Sequence, residues 1–301
     1  MFKRGICAID DLRTLDRAVS VANISYSLLR NTEAGGGSSV QSFEMIIRDL
    51  AMSSGVHRTT YRGRLHDVDA MVRPYLSEFF GRSDRIAIHD WAASDGLVAS
   101  EWAQDIFKKL PSCRFTTSDL TLYLVEVRRG NRETYIFEPT GVPLQYVLRP
   151  FVISLNSKRR DSIVFFANRL LRARAERRVK SIRNILSRFD WTGFDDPTEY
   201  SVPPMRIRIL PLVHPEARAL QSQTPNFRIV PHSALSPLEK PVEVIRSMNI
   251  YHRRYFDDGD IAKGAKAVFD SLVLGGIWIL GRTTEEKKPV RNEASILRKT
   301  E

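Results

Sequence analysis

The sequence predicts an α/β fold built on a mostly parallel, doubly wound sheet with one antiparallel strand at its C-terminal end. Three observations carry that expectation. From Arg85 onward, short runs rich in Val, Ile and Phe alternate with stretches of helical period. The first run, "RIAIHDWA", passes through a loop of small residues, "ASDG", directly into the helical "LVASEWAQDIFKKL". No 18 apolar residues run without interruption, so no membrane-spanning helix is expected.

The first 84 residues read instead as an N-terminal helical region. "DDLRTLDRAVSVANISYSLLR" places Leu12, Leu15, Val19, Ala22 and Leu29 at roughly helical spacing, and the glycine-rich stretch at 33–40 then reads as a flexible link. "SFEMIIRDLAMSS" and "HDVDAMVRPYLSEFF" are the next two helical stretches, and Pro74 is expected to kink or end the second.

Residues 85–301 form the expected α/β domain. "RIAIHDWA" and "CRFTTSDL" are its first two strands. "LYLVEV" and "TYIFEP", joined by the turn "RRGN", form a hairpin that opens an insertion at about 121–204, of hairpin-plus-helix form. After it the alternation resumes through strand "RIRILPLVH", helix "PEARALQSQ", strands "FRIVPHS" and "VEVIRSMN", helix "IAKGAKAVFDSLV", turn "LGG", strand "IWILGRT" and a last strand "ASILRK".

Composition narrows the class. In 301 residues there are only Cys7 and Cys113, too few for a disulfide framework or a thiolate metal site, and no metal is expected. After Lys3 and Arg4 the chain turns acidic and broken rather than continuously apolar, so no export signal is expected and the location is read as cytoplasmic. The net charge of +11 is local, because the window from Lys158 to Arg188 holds eleven Lys and Arg against Asp161 and Glu176.

The opening loop carries the candidate chemistry. In a strand-loop-helix unit that binds a nucleotide, small residues let the backbone approach the ligand while the helix N-terminus offers N–H groups. Asp90, Ala92, Ser94 and Gly96 stand in the spacing D-x-A-x-S-x-G, where an acid and three glycines are usual; Ala and Ser are the next smallest residues, though both resist positive φ. Asp119, 23 residues past Gly96 at the end of the second strand, stands near the offset at which an acid reaches ribose hydroxyls. Its other reading is a turn cap.

The order of loop, acid, "VEVIRSMNIYHRRYF", amphipathic helix, "LVLGGIWILGRT" and short last strand resembles the class I S-adenosylmethionine-dependent methyltransferases, over about residues 85–299. "WAASDG" is similar to the loop of the chemotaxis-receptor glutamate (CheR-like) methyltransferases, "RSMNIYHRRYF" to their stretch after the fourth strand, and "LVLGG" to the common turn before the fifth. The resemblance implies a Rossmann-like fold with S-adenosyl-L-methionine as cofactor. It implies that Asp90, Ala92, Ala93, Ser94 and Gly96 cradle the methionine part, that Asp119 and the adjoining Leu120 hold the ribose side, and that His232 or Ser233 lies beside adenine. Asn249 and Tyr255 would face the transferred methyl, and His232, His252 or Tyr255 would accept a proton from the acceptor. Departures are the two missing loop glycines, Val273 and Leu274 where a proline is usual, and the insertion, which removes any inference about the substrate. The activity implied is methyl transfer to a small molecule or protein side chain. The alternative is a methyltransferase-like module without catalysis, one that binds RNA or another polyanion.

The basic segment bears on that alternative. "SIVFFANRLLRARAERRVKSIRNILSRF" reads as an amphipathic helix near 163–187, with Phe166, Leu170, Leu171, Ala175, Val179, Ile182 and Leu186 on one face. The expectation is a cover or lid helix with arginines at its flanks. Nucleic acid is the rival partner, weakened by the absence of aromatics interleaved with the arginines.

Overall fold

The computed structural model describes residues 5–6, 22–32, 37–54, 58, 60–80, 86–148, 151–155, 165–189, 199–284 and 290–301. In chain order these form β1 (Gly5–Ile6), β2 (Ala22–Asn23), a 3-10 helix (Tyr26–Thr32), α1 (Gly37–Asp49), α2 (His66–Phe80), β3 (Ala87–Trp91), α3 (Leu97–Phe107), β4 (Arg114–Asp119), β5 (Tyr123–Arg129), β6 (Glu133–Phe137), β7 (Pro143–Leu148) and β8 (Phe151–Ser154). There follow α4 (Phe165–Leu186), β9 (Glu199–Val202), β10 (Met205–Pro211), α5 (Pro215–Gln223), β11 (Phe227–Pro231), β12 (Val242–Met248), α6 (Asp258–Ser271), β13 (Leu272–Thr284) and β14 (Arg291–Arg298).

Two compact units divide the chain, and neither is continuous in sequence. One comprises Met1–Thr59 with Tyr123–Pro215, the other Thr60–Leu122 with Glu216–Glu301. The boundary expected near residue 84 is therefore not where the contacts divide. Residues up to 59 belong with the insertion because Tyr26, Leu29, Phe43, Ile46 and Leu50 share one buried cluster with Leu124, Ile136, Leu144, Val147 and Leu210.

The second unit holds the α/β fold. Its six strands run in the order β11-β4-β3-β12-β13-β14, all parallel except β14, which is antiparallel to β13. Every residue of β3 is buried, as a central strand covered on both faces requires. Strand order reverses between β3 and β12, and the crevice at the carboxyl ends of such strands is where open α/β sheets bind ligands. The α2 helix runs through Pro74 to Phe80 rather than ending there, and Arg298 on β14 pairs with its Glu78.

The first unit is an antiparallel sheet in the order β8-β7-β6-β5-β10-β9. The expected hairpin is present as β5 and β6, but the insertion is a full sheet with a helix rather than a hairpin with a helix. "RIRILPLVH" belongs to that sheet, as β10 antiparallel to β5, and not to the parallel one. Alternating burial marks a strand without naming its partner, so "FRIVPHS" is the third parallel strand and "RIRILPLVH" is not.

Two further expectations change. In the first helical stretch, Leu12, Leu15 and Val19 lie outside the described residues, Ala22 is in a strand, and Leu29 is buried in a 3-10 helix. There the Ser25 and Ser27 hydroxyls bond each other at 2.6 Å, and Ser25 Oγ accepts the Ser27 N–H, a local pairing that competes with helix formation. The link at 33–40 is helical from Gly37 onward, its earlier residues lying outside the described set. The basic helix is α4, and it buries Ala175, Val179, Ile182 and Leu186 as expected, whereas Leu170 is 58% exposed. Phe166 is outside the residues whose side chains are described. The "LVLGG" segment is part of β13, with Gly275 at φ 78.

Candidate functional site

The loop between β3 and α3 keeps a glycine-type backbone with a single glycine. Ala92, Ser94 and Gly96 have φ of 56, 60 and 79 degrees. An L residue in this region crowds its Cβ against the backbone at roughly 1–2 kcal/mol, so Ala92 and Ser94 are held there by their surroundings. The holding contacts are visible. The Ala93 N–H donates to the Ser118 carbonyl at 2.9 Å, and the Ser94 N–H donates to Asp119 Oδ2 at 3.0 Å. Gly96 caps α3, the Leu97 N–H donating to Asp95 Oδ1 at 3.0 Å.

Asp119 joins the loop to the end of β4. Its Oδ1 accepts the Thr121 N–H at 3.1 Å while Oδ2 accepts that of Ser94, and its own carbonyl accepts the His232 N–H at 3.1 Å. The structure thus brings Ala92, Ala93, Ser94, Gly96, Asp119 and His232 to one place, at the carboxyl ends of β3, β4 and β11. Leu120 follows there, 72% exposed. Ser233 forms a turn, its Oγ accepting the Leu235 N–H at 3.2 Å.

A cluster of rings lies beside these residues. Trp91 is 5.0 Å from His232 and 6.1 Å from His89, centroid to centroid. Trp91 Nε1 and His232 Nε2 are buried with no hydrogen-bond partner among the described residues. Burial, reinforced by His232, pushes the His89 pKa down to about 3, and burial also lowers that of His232. Both imidazoles are neutral at pH 7, and His89 Nε2 bonds Ser118 Oγ at 2.9 Å.

Asp90 is placed elsewhere. Its two oxygens accept Nε and Nη2 of Arg246 at 2.9 and 2.6 Å, and Arg246 Nη1 reaches Asp69 Oδ1 at 2.6 Å. The guanidinium, 1% exposed, also lies 4.1 Å from the Trp102 ring. Burial works against the Arg246 charge, but Asp90 and Asp69 hold it above its ordinary pKa, while burial pushes Asp69 up to about 6. Asp90 is the partner of Arg246 across the parallel sheet, from β3 to β12. An arginine inside the apolar run "VEVIRSMN" was the available signal, since a buried arginine requires a carboxylate.

The catalytic candidates are likewise committed or exposed. Asn249, at φ 63, accepts the Thr283 N–H on Oδ1 at 2.5 Å, and its Nδ2 lies 3.2 Å from Thr283 Oγ1. His252 is exposed, with Nδ1 accepting the Arg254 N–H at 3.0 Å, and Tyr255 is half-buried 6.3 Å from it. Among the described residues no group of three or more His, Cys, Asp or Glu could hold a metal ion. Burial pushes the Cys113 thiol up to about 12; Cys7 lies outside the described residues.

No family model matches the sequence, and neither does any curated protein. Solved structures do. One is a protein of Methanococcus maripaludis assigned as an S-adenosylmethionine-dependent methyltransferase, at 8% identity and TM-score 0.31, covering 73% of this chain and 58% of its own. An S-adenosylmethionine-dependent methyltransferase of Thiobacillus denitrificans, in complex with S-adenosylhomocysteine, is 14% identical at TM-score 0.30, covering 79% of this chain and 56% of its own. The glycopeptide N-methyltransferase MtfA with S-adenosylmethionine is 11% identical at TM-score 0.30, covering 77% and 66%. The chain therefore spans a little over half the length of the first two. No described helix is long and apolar enough to cross a membrane.

Proposed function

We propose that the chain binds S-adenosyl-L-methionine at the carboxyl ends of β3, β4 and β11 and transfers its methyl group to a small molecule or protein side chain. The observation that carries this is the left-handed backbone at Ala92, Ser94 and Gly96 in a loop with one glycine. A plain strand-to-helix turn has no need of two such non-glycine residues, whereas a backbone that must approach a ligand does.

The residues fit the cofactor in three respects. The Ala92–Gly96 loop would receive the methionine part. Asp119 would take the ribose hydroxyls, because a carboxylate oxygen accepts more than one hydrogen bond. Leu120 gives a flat base an exposed apolar seat, and His232 brings to that base a buried nitrogen with no partner among the described residues. In one respect they do not fit, since Asp90 is engaged by Arg246.

When bound, the cofactor supplies a methyl group already activated as a sulfonium. What is asked of the protein is then alignment and exclusion of water rather than a strong base. That suits a site where Asn249 is held by Thr283 and both neighbouring imidazoles, His89 and His232, are neutral. The neutral His232 imidazole, whose Nε2 has no partner among the described residues, would take up a proton released by an acceptor, whereas His89, pushed down to about 3 by burial and bonded to Ser118, would not.

Isothermal titration with S-adenosylmethionine and S-adenosylhomocysteine tests the proposal. Both are expected to bind, and Asp119→Asn is expected to weaken both by about tenfold, the cost of one good hydrogen bond. Absence of binding for both ligands would sink it. Binding with no transfer to any acceptor would select the non-catalytic alternative.

A further inference from the structure

The cations of α4 and of the turn that follows it fall into two sets with different partners. Arg172, Arg174, Arg178 and Arg183 turn toward the antiparallel sheet: Arg174 and Arg178 pair with Glu133, Arg172 donates to the Ser154 carbonyl at 2.6 Å, and Arg183 donates to that of Gly141 at 2.6 Å. They anchor the helix. Arg169, Arg177, Lys180 and Arg188 make no ion pair among the described residues and are exposed, Arg177 donating only to the Ala173 carbonyl of its own helix.

At 3.6 residues per turn Arg169, Arg177 and Lys180 fall within an arc of about 80 degrees, opposite the buried Ala175, Val179, Ile182 and Leu186, and Arg188 follows in the turn beyond Leu186. Lys180 lies close to the middle of the row. Arg169 stands eight residues before Arg177, about 12 Å of helix, and Arg188 lies two residues past the end of the helix. Asn184 lies within the same arc, and the one acid of the helix, Glu176, sits about 20 degrees outside its margin.

We infer that this row binds the sugar-phosphate backbone of duplex DNA, without reading its sequence. Charge complementarity is the first reason, since the segment around the helix holds most of the chain's net charge of +11. The second is spacing, because Arg169 and Arg177, about 12 Å apart on one rigid helix, can meet phosphates on both sides of a major groove of about that width. Single strands are disfavoured, for the described part of the row offers no aromatic ring for bases to stack on. An inserted membrane helix is disfavoured because the apolar face is already spent on the sheet. This surface stands independently of the proposed cofactor site.

The test is a fluorescence anisotropy titration of the full chain against a labelled duplex of about 20 base pairs, in salt from 50 to 200 mM. Four contacts predict a slope of log affinity against log salt of about −3.6, a loss of roughly 150-fold over that range. Each of Arg169→Ala, Arg177→Ala, Lys180→Ala and Arg188→Ala is expected to flatten the slope by about 0.9, and the four together to abolish binding at 200 mM with unchanged circular dichroism. Should the fourfold variant misfold, the single variants still decide. The inference fails if the wild-type chain shows no salt-dependent binding, if the single variants leave the slope unchanged, or if duplex RNA or phosphatidylserine vesicles bind and duplex DNA does not.

Discussion

Ala92 is one of three described non-glycine residues with a left-handed backbone. A methyl side chain stands at φ 56, where glycine would be unstrained. Replacing it with glycine removes a cost of roughly 1–2 kcal/mol and adds about 0.5–1 kcal/mol of backbone entropy lost on folding, so Ala92→Gly is expected to raise stability by up to about 1.5 kcal/mol. Ala92→Val is expected to lower it, because a β-branched side chain suits this conformation less than alanine does. Urea denaturation of the two variants checks the pair, and a clear loss of stability in Ala92→Gly would mean that the loop is not strained there. Gly96 differs in kind. A Cβ on it would come to 3.4 Å of the Ala217 Cβ and 3.9 Å of the Thr117 Cγ2, so its bare face looks into the protein, and a side chain there would disturb packing before it met any ligand.

At the scale of elements, the Asp69–Arg246–Asp90 group ties α2, β12 and β3 together inside the parallel unit. Removing one carboxylate leaves a buried charge short of its partner, so Asp90→Ala is expected to destabilise the chain by about 3–5 kcal/mol. Chemical denaturation measures that loss. If stability is unchanged and only ligand binding suffers, Asp90 is a ligand group after all. This group shows what the sequence made legible. The strand-loop-helix around Asp90, the offset of Asp119 and the amphipathic α4 were all readable, because period and spacing are local. Neither the partner of Asp90, 156 positions away, nor the sheet to which "RIRILPLVH" belongs was readable, because both depend on pairings that no local pattern encodes. Nothing in the local sequence pattern marks His89 and Trp91 as more than strand residues. Their ring contacts with His232 arise because β3 and β11 end at the same level on either side of β4.

For the whole molecule, the buried His89 and the part-buried Asp69 give opposite responses to acid. The unfolded chain protonates His89 near pH 6.5, whereas the folded chain resists until about 3, so this residue costs stability as pH falls between those limits, on the order of 5 kcal/mol in all. Asp69 is raised from 3.8 to about 6, so the folded chain holds its proton longer and stability is lost as pH rises through that window, by roughly 3 kcal/mol. The two largely offset each other between pH 4 and 6. Against the wild type, Asp69→Asn is expected to make the urea midpoint fall more steeply on acidification, and His89→Gln to make it fall less. Parallel midpoint curves for all three proteins from pH 4 to 7 would refute that account. The interleaving of the two units has a different consequence, in the order of events during synthesis. β3 and β4 leave the ribosome early, but β12, the strand that closes the other side of β3, is complete only at Met248, after the whole antiparallel sheet has been made. At about 5–20 residues per second, the gap between Trp91 and Met248 takes roughly 8–30 s. Through that interval the central strand of the parallel sheet has one open side, and a nascent chain stalled there would present an apolar β edge to chaperones or to its neighbours on the same messenger.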